Sequence, residues 1–178
     1  MLYQVFDQTI YQYQDQEFVN YARSWFDGTA DLNWTNELRL LRNAGDLEQI
    51  DQFCHSVPDY FFIRFITNHA DTYLQQHHNN FQQRAVLIGI WPFAMTADLC
   101  HATHSHSDSI LSGTYYVETP AGSGALQFHD QSQIHAIVPE PGMLLIWPSA
   151  MVHSVPKCDF MGTRQAISFD IALTRILS

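Results

Sequence analysis

Apolar residues recur along this chain with two different periods, and the change falls near residue 82. Before it the spacing is helical. Phe18, Tyr21, Ala22, Trp25 and Phe26 share one face of a helix over 17–26, with Asp15 placed as its N-cap. Leu47, Ile50, Phe53 and Cys54 predict a second, shorter helix. Pro58 suits the first turn of a third, whose apolar stripe runs through Phe62, Ile66, Ala70, Tyr73 and Leu74. Beyond 82 the chain breaks into short segments of strand character: 85–91, 110–118, 125–129, 134–138, 143–147, 152–155 and 164–173. Between them stand turn-forming stretches such as Pro120-Ala-Gly-Ser-Gly124, Pro139-Glu-Pro-Gly142 and Lys157–Gly162. Many short strands at this spacing predict an all-β sandwich or barrel. With no internal repeat or long linker, the expectation is one domain over 1–178. It divides into a helical support over 1–82 and a jelly-roll-like barrel over 83–178, a mainly β fold buttressed by about three helices.

Composition narrows the partners. The chain carries a net charge of −10 with only 8 basic residues, and no local Lys/Arg cluster offsets the repulsion of a phosphate backbone. That argues against nucleic acid. The opening, MLYQVFDQTIYQYQDQE, lacks the basic start and apolar core of a signal peptide. The longest apolar stretch, Ala85 to Met95, is interrupted by Gly89 and Pro92 and is too short to span a bilayer. Cys54, Cys100 and Cys158 are odd in number and form no CxxC, so neither a disulfide framework nor a zinc ribbon is expected. A soluble, cytoplasmic protein follows as the expectation. Because basic residues are so scarce, one lying in a motif is informative.

The densest chemistry is His101-Ala-Thr-His104-Ser-His106-Ser-Asp108. Side chains two apart on a strand point the same way, so His104 and His106 can reach one ion together, and the same holds for His106 and Asp108. His153 lies 47 residues further on, where a barrel would return it on another strand. A lone His is more often a satisfied polar residue than a ligand, and an isolated HxH is weak. Three such groups on one side of an ion, however, leave its remaining positions free, the arrangement of non-haem Fe(II) oxygenases. Arg164 adds weight. An arginine opening an apolar strand is unusual, and its planar fork can grip a carboxylate in two places.

These features resemble the 2-oxoglutarate- and Fe(II)-dependent oxygenases, and within them a small group of phage and bacterial members. The likeness runs from about Trp91 to Phe169. It rests on His104-Ser-His106, Leu111-Ser-Gly-Thr-Tyr-Tyr-Val117, Pro141-Gly142 before Leu144-Leu-Ile-Trp-Pro148, His153-Ser-Val-Pro156 and Arg164-x-x-Ile-Ser-Phe169. The resemblance implies a double-stranded β-helix with Fe(II) as cofactor, 2-oxoglutarate as cosubstrate and His153 as the distal ligand. It implies that Arg164 binds the far carboxylate of 2-oxoglutarate and that Tyr116 hydrogen-bonds it. Alternation sets Ser112, Thr114 and Tyr116 on one strand face. The implied activity is hydroxylation of a small-molecule or peptide substrate with O2, coupled to decarboxylation of 2-oxoglutarate to succinate.

Two registers remain open for the paired ligands. The small group's pattern favours His104 and His106, whereas the wider superfamily's HxD, and the preference of iron for one anionic ligand, favour His106 and Asp108. The rival class is a cupin-like metal-binding protein: a 2-oxoglutarate-independent dioxygenase, an isomerase or a binding module. Against it, no glutamate follows His106 within the short interval cupins use, and such a protein has no need of Arg164.

Overall fold

The computed structural model describes residues 1–78 and 82–175; residues 79–81, beside the expected change of character, lie outside the described part. Two antiparallel sheets form the body. The larger takes strands β1 (Leu2–Val5), β2 (Gln8–Gln14), β3 (Gln83–Met95), β5 (Leu111–Glu118), β8 (Met143–Pro148) and β10 (Arg164–Arg175), in the order β1-β2-β8-β5-β10-β3. The smaller takes β4 (His101–His104), β6 (Leu126–Asp130), β7 (Gln133–Ile137) and β9 (His153–Val155), in the order β4-β9-β6-β7. Four helices, α1 (Glu17–Asp27), α2 (Trp34–Ala44), α3 (Leu47–Cys54) and α4 (Tyr60–His78), cover the outer face of the larger sheet. The mainly β, double-stranded β-helix expectation therefore holds. The sheets face one another as an open jelly roll, and among the described residues no strand pairing closes them into a barrel.

The central strands β5 and β8 are buried along nearly their whole length because both of their faces are covered, and β8 is apolar throughout. Leu144 and Ile146 of β8 point to the helices, while Met143, Leu145 and Trp147 point between the sheets. The same alternation on β5 sends Leu111, Tyr115 and Val117 outward to the helical core. Gly113 sits in β5 between β8 and β10 with no room for a side chain: a Cβ there would collide with the Phe169 ring and lie 2.6 Å from the Leu145 carbonyl oxygen. The helices are tied together by a buried carboxylate. Asp59 accepts hydrogen bonds from the indoles of Trp25 (3.2 Å) and Trp34 (2.6 Å) and from the Tyr21 hydroxyl.

The N-terminal region differs from the sequence expectation. It is helical only from Glu17 onward, since residues 2–14 form a hairpin that joins the larger sheet through β2 and β8. A fourth helix, α2, also lies between the first two expected. Asp15 does not occupy the N-cap position of α1, which is Gln16, although its carboxylate still accepts from the Glu17 backbone N–H at 2.6 Å. The helix after Pro58 begins at Tyr60, with the Asp59 carbonyl accepting its first bonds. No helix among the described residues is long and apolar enough to cross a membrane.

Candidate metal centre

Strand pairing brings the histidines together. β4 and β9 run antiparallel with His104 directly opposite His153, and the two ring centroids lie 4.3 Å apart. His106 lies just past the end of β4, in a segment pinned to the turn after β8. Its backbone N–H donates to the Ser149 carbonyl at 2.9 Å, and the Ser149 N–H donates to the Ile110 carbonyl at 3.0 Å. One ligand atom from each of His104, His106 and His153 falls within 4.8 Å of the others. Asp108 is exposed and outside this group, its carboxylate taking a bond from the Ser107 hydroxyl at 3.0 Å.

The tautomers of the three rings can be worked out from their partners. His104 Nδ1 lies 2.7 Å from the Ala102 carbonyl, and His153 Nδ1 lies 2.9 Å from that of Met151. A carbonyl oxygen only accepts, so both Nδ1 atoms must carry the proton, and in the neutral ring each Nε2 then presents a lone pair. His106 Nδ1 lies 2.8 Å from the Asp170 carboxylate, with the same consequence. Burial pushes the His153 pKa down to about 4, its bond to Met151 only partly opposing this. The ring is therefore neutral, as a metal ligand must be. With its rings neutral the triad offers three imidazole lone pairs, the donor type that suits Fe, Zn, Cu and Ni.

The same cavity carries Arg164, Tyr116, Ser112, Thr114, Trp147 and Ser168, the inward residues of β5, β8 and β10. Arg164 is only 2% exposed. Its Nη1 donates to the carbonyls of Ser123 (3.2 Å) and Gly124 (2.8 Å), and its Nη2 to the Tyr116 hydroxyl (3.4 Å), whose ring lies 5.1 Å beneath the guanidinium. The 119–124 loop thus braces this arginine. Nε of Arg164 and Nε1 of Trp147 are buried without partners, and no carboxylate pairs with Arg164 among the described residues. Burial raises the Tyr116 pKa, although Arg164 works against it, so the hydroxyl keeps its proton and can donate.

Sequence reasoning missed Asp170 and Trp147. Asp170 lies on the same face of β10 as Arg164, Ala166 and Ser168, so continuing the alternation one step past Ser168 would have reached it. Burial raises its pKa, but hydrogen bonds from His106 and Ser112 and the Arg42 charge outweigh that and hold it below the usual carboxylate range.

Comparison with known proteins bears on the fold and the family. A family described as "Putative 2OG-Fe(II) oxygenase" matches residues 89–138, under a third of the chain; that segment holds His104, His106 and Tyr116 but neither His153 nor Arg164. No curated protein matches. Among solved structures, an oxidoreductase of the 2OG-Fe(II) oxygenase family from Burkholderia pseudomallei superposes with TM-score 0.51 at 14% identity, over 58% of this chain and 52% of that one. The chain thus spans about half the length of that protein. A prolyl-4-hydroxylase from Pseudomonas putida gives 0.50 at 13% identity, over 78% and 83% of the two chains. An N-substituted L-amino acid dioxygenase from Burkholderia ambifaria gives 0.50 at 11% identity, over 93% and 85%. At these identities the structural likeness speaks for the fold. The sequence match and that fold together confirm the chain's resemblance to the 2-oxoglutarate- and Fe(II)-dependent oxygenase superfamily, a family whose name implies Fe(II) and 2-oxoglutarate.

Proposed function

We propose that this protein is an Fe(II)- and 2-oxoglutarate-dependent oxygenase, a hydroxylase of a small-molecule or peptide substrate. One observation carries the reading: a buried guanidinium, without a carboxylate partner among the described residues, shares a cavity with three clustered imidazoles. A buried charge without a counterion is costly, so a site of this kind calls for an anion. A dicarboxylate fits the donor set, with one carboxylate at Arg164 and the other end directed to the histidines.

In this reading His104, His106 and His153 hold the metal and Asp108 does not. Fe(II), with 2-oxoglutarate and O2, supplies the oxidative decarboxylation to succinate and CO2 and the oxidation of a substrate C–H bond. The chain supplies binding and orientation. Arg164, fixed by two carbonyls, offers its unpartnered Nε and its Nη2 to the far carboxylate, and the Tyr116 hydroxyl donates beside them. The Trp147 indole N–H is a further free donor in the same space. Phe93, Leu126, Val155 and Ala166 keep the remaining walls apolar, which limits water around the charged groups and strengthens their attraction.

An anaerobic titration tests the assignment. Fe(II) and 2-oxoglutarate together should produce a weak visible charge-transfer band that neither gives alone. Metal binding without any effect of 2-oxoglutarate would instead favour the cupin-like reading.

A further inference from the structure

The three histidines proposed as ligands bring no negative charge to a divalent ion. The nearby carboxylate that could supply one is Asp170, 3% exposed and two residues beyond Ser168 on the inward face of β10. Its two oxygens have different partners. Oδ2 accepts from Arg42 Nη1 of α2 at 3.1 Å. Oδ1 gathers His106 Nδ1 at 2.8 Å, the Ser112 hydroxyl at 2.8 Å and the Ser109 hydroxyl at 3.2 Å. Ser149 Oγ lies 2.8 Å from Ser109 Oγ and 2.9 Å from Ser112 Oγ, which fixes both hydroxyls against the turn that also holds the His106 backbone.

An ion pair serving stability alone would account for Oδ2 and Arg42. It would not account for Oδ1, where two serines set the rotation of the carboxylate so that it meets His106. The other two rings rest on backbone carbonyls, so His106 is the one member of the triad with an ionised partner. A carboxylate behind a ligating imidazole fixes the tautomer and the ring orientation, and it makes the opposite nitrogen a stronger donor. We propose that Asp170 is a positioning residue for the metal, acting through His106 and contributing from one bond away the negative charge that a carboxylate ligand would bring directly. This explains how an HxH site can do without the aspartate of an HxD site. It rests on the triad holding a metal, as proposed above.

Asp170→Asn separates this role from packing. The amide has the same shape, but it carries no charge and can turn its NH2 toward Nδ1, which would leave the His106 Nε2 protonated and unable to ligate. Mn(II) is the probe, titrated into the metal-free, full-length protein by calorimetry. Nitrogen NMR of the histidine rings, assigned with a His106→Gln variant and recorded near pH 8, reads the tautomers independently of metal. The expected results are one Mn(II) per parent chain, an Nδ1–H tautomer at His106, and a loss of about 10–100-fold in Mn(II) affinity for Asp170→Asn with thermal unfolding still cooperative. Arg42→Met, which removes the Oδ2 partner but keeps the bond to His106, should lose less than Asp170→Asn. Parent-like affinity in a folded Asp170→Asn protein would overturn the proposal while leaving the metal triad standing. A parent His106 in the Nε2–H form would overturn it even if the variant failed to fold. A parent that bound no Mn(II) would remove the metal reading itself, and this inference with it.

Discussion

Replacing Arg164 by leucine should weaken 2-oxoglutarate binding severely and leave metal binding nearly unchanged. The magnitude follows from the surroundings of the side chain. Arg164 is 2% exposed, its Nε has no partner, and its Nη2 makes only a long bond of 3.4 Å to Tyr116. A carboxylate entering this space exchanges its hydration for the guanidinium. With leucine in place it would be buried with no counterion, and breaking a buried pair in this way costs about 3–5 kcal/mol. At about 1.4 kcal/mol per tenfold, that is a loss of roughly a hundredfold to a few thousandfold in affinity. Lysine should fall between the two, because it keeps the charge but lacks the planar fork that also reaches the Ser123 and Gly124 carbonyls. The assay is calorimetry with 2-oxoglutarate on oxygen-free protein loaded with Mn(II), which prevents turnover. A leucine variant that bound as tightly as the parent, or a parent that bound none, would refute the oxygenase reasoning. A cupin-like metal protein would then be the better account.

The remaining predictions concern the triad, the tyrosine and the sheet. His153→Ala should abolish stoichiometric metal binding while unfolding remains cooperative; elemental analysis showing one tight ion in the variant would remove His153 from the site. His104→Ala should lose the metal and Asp108→Ala should keep it, since Asp108 is exposed and outside the cluster; the reverse pattern would move the site to His106, Asp108 and His153. Tyr116→Phe deletes one hydrogen bond and should cost about 0.5–1.5 kcal/mol of 2-oxoglutarate affinity, roughly two- to tenfold by the same calorimetry. Gly113→Ala forces a methyl against Phe169 and the Leu145 carbonyl and should destabilise the fold by about 1–3 kcal/mol, read as a lower urea midpoint.

The β core was legible because its signals were local. Leu144-Leu-Ile-Trp147 reads as a strand buried on both sides, and Pro139-Glu-Pro-Gly142 ends the stretch before it with a glycine at φ 82. The first hairpin was not legible. Its two-residue turn is Phe6-Asp7, with Phe6 at φ 57, where the common sequence signal would be Asn-Gly or a leading glycine. Helix α2 escaped for a different reason: Trp34 and Leu38 are its only fully buried residues, too narrow an apolar stripe to stand out against Arg39, Arg42 and Asn43. Of the candidate site, the three histidines and Arg164 stood out because each lies in a recognisable local pattern, and the fold brings them to one cavity. Their tautomers could not be read in this way, since the acceptors for His104 and His153 are backbone carbonyls, and any residue at 102 or 151 would supply one.

Under the proposed function, the inward face of β10 would orient the cosubstrate. Arg164 and Asp170 are six residues apart on the same side, about 20 Å along the strand at a rise of roughly 3.3 Å per residue. Between them stand only Ala166 and Ser168, small side chains that leave room in the cavity. A cation with no anionic partner among the described residues therefore marks one end of the row, and an anion bonded to a triad histidine marks the other. A dicarboxylate in this space finds its favourable partner at Arg164 and repulsion at Asp170, unless a cation held by the triad stands between. The metal would thus have to be in place for the second carboxylate to be accepted. Under the proposed function these charges predict ordered binding, metal first and 2-oxoglutarate second, with the metal on His104, His106 and His153 beside β4 and β9 and the cosubstrate at Arg164 of β10 and Tyr116 of β5.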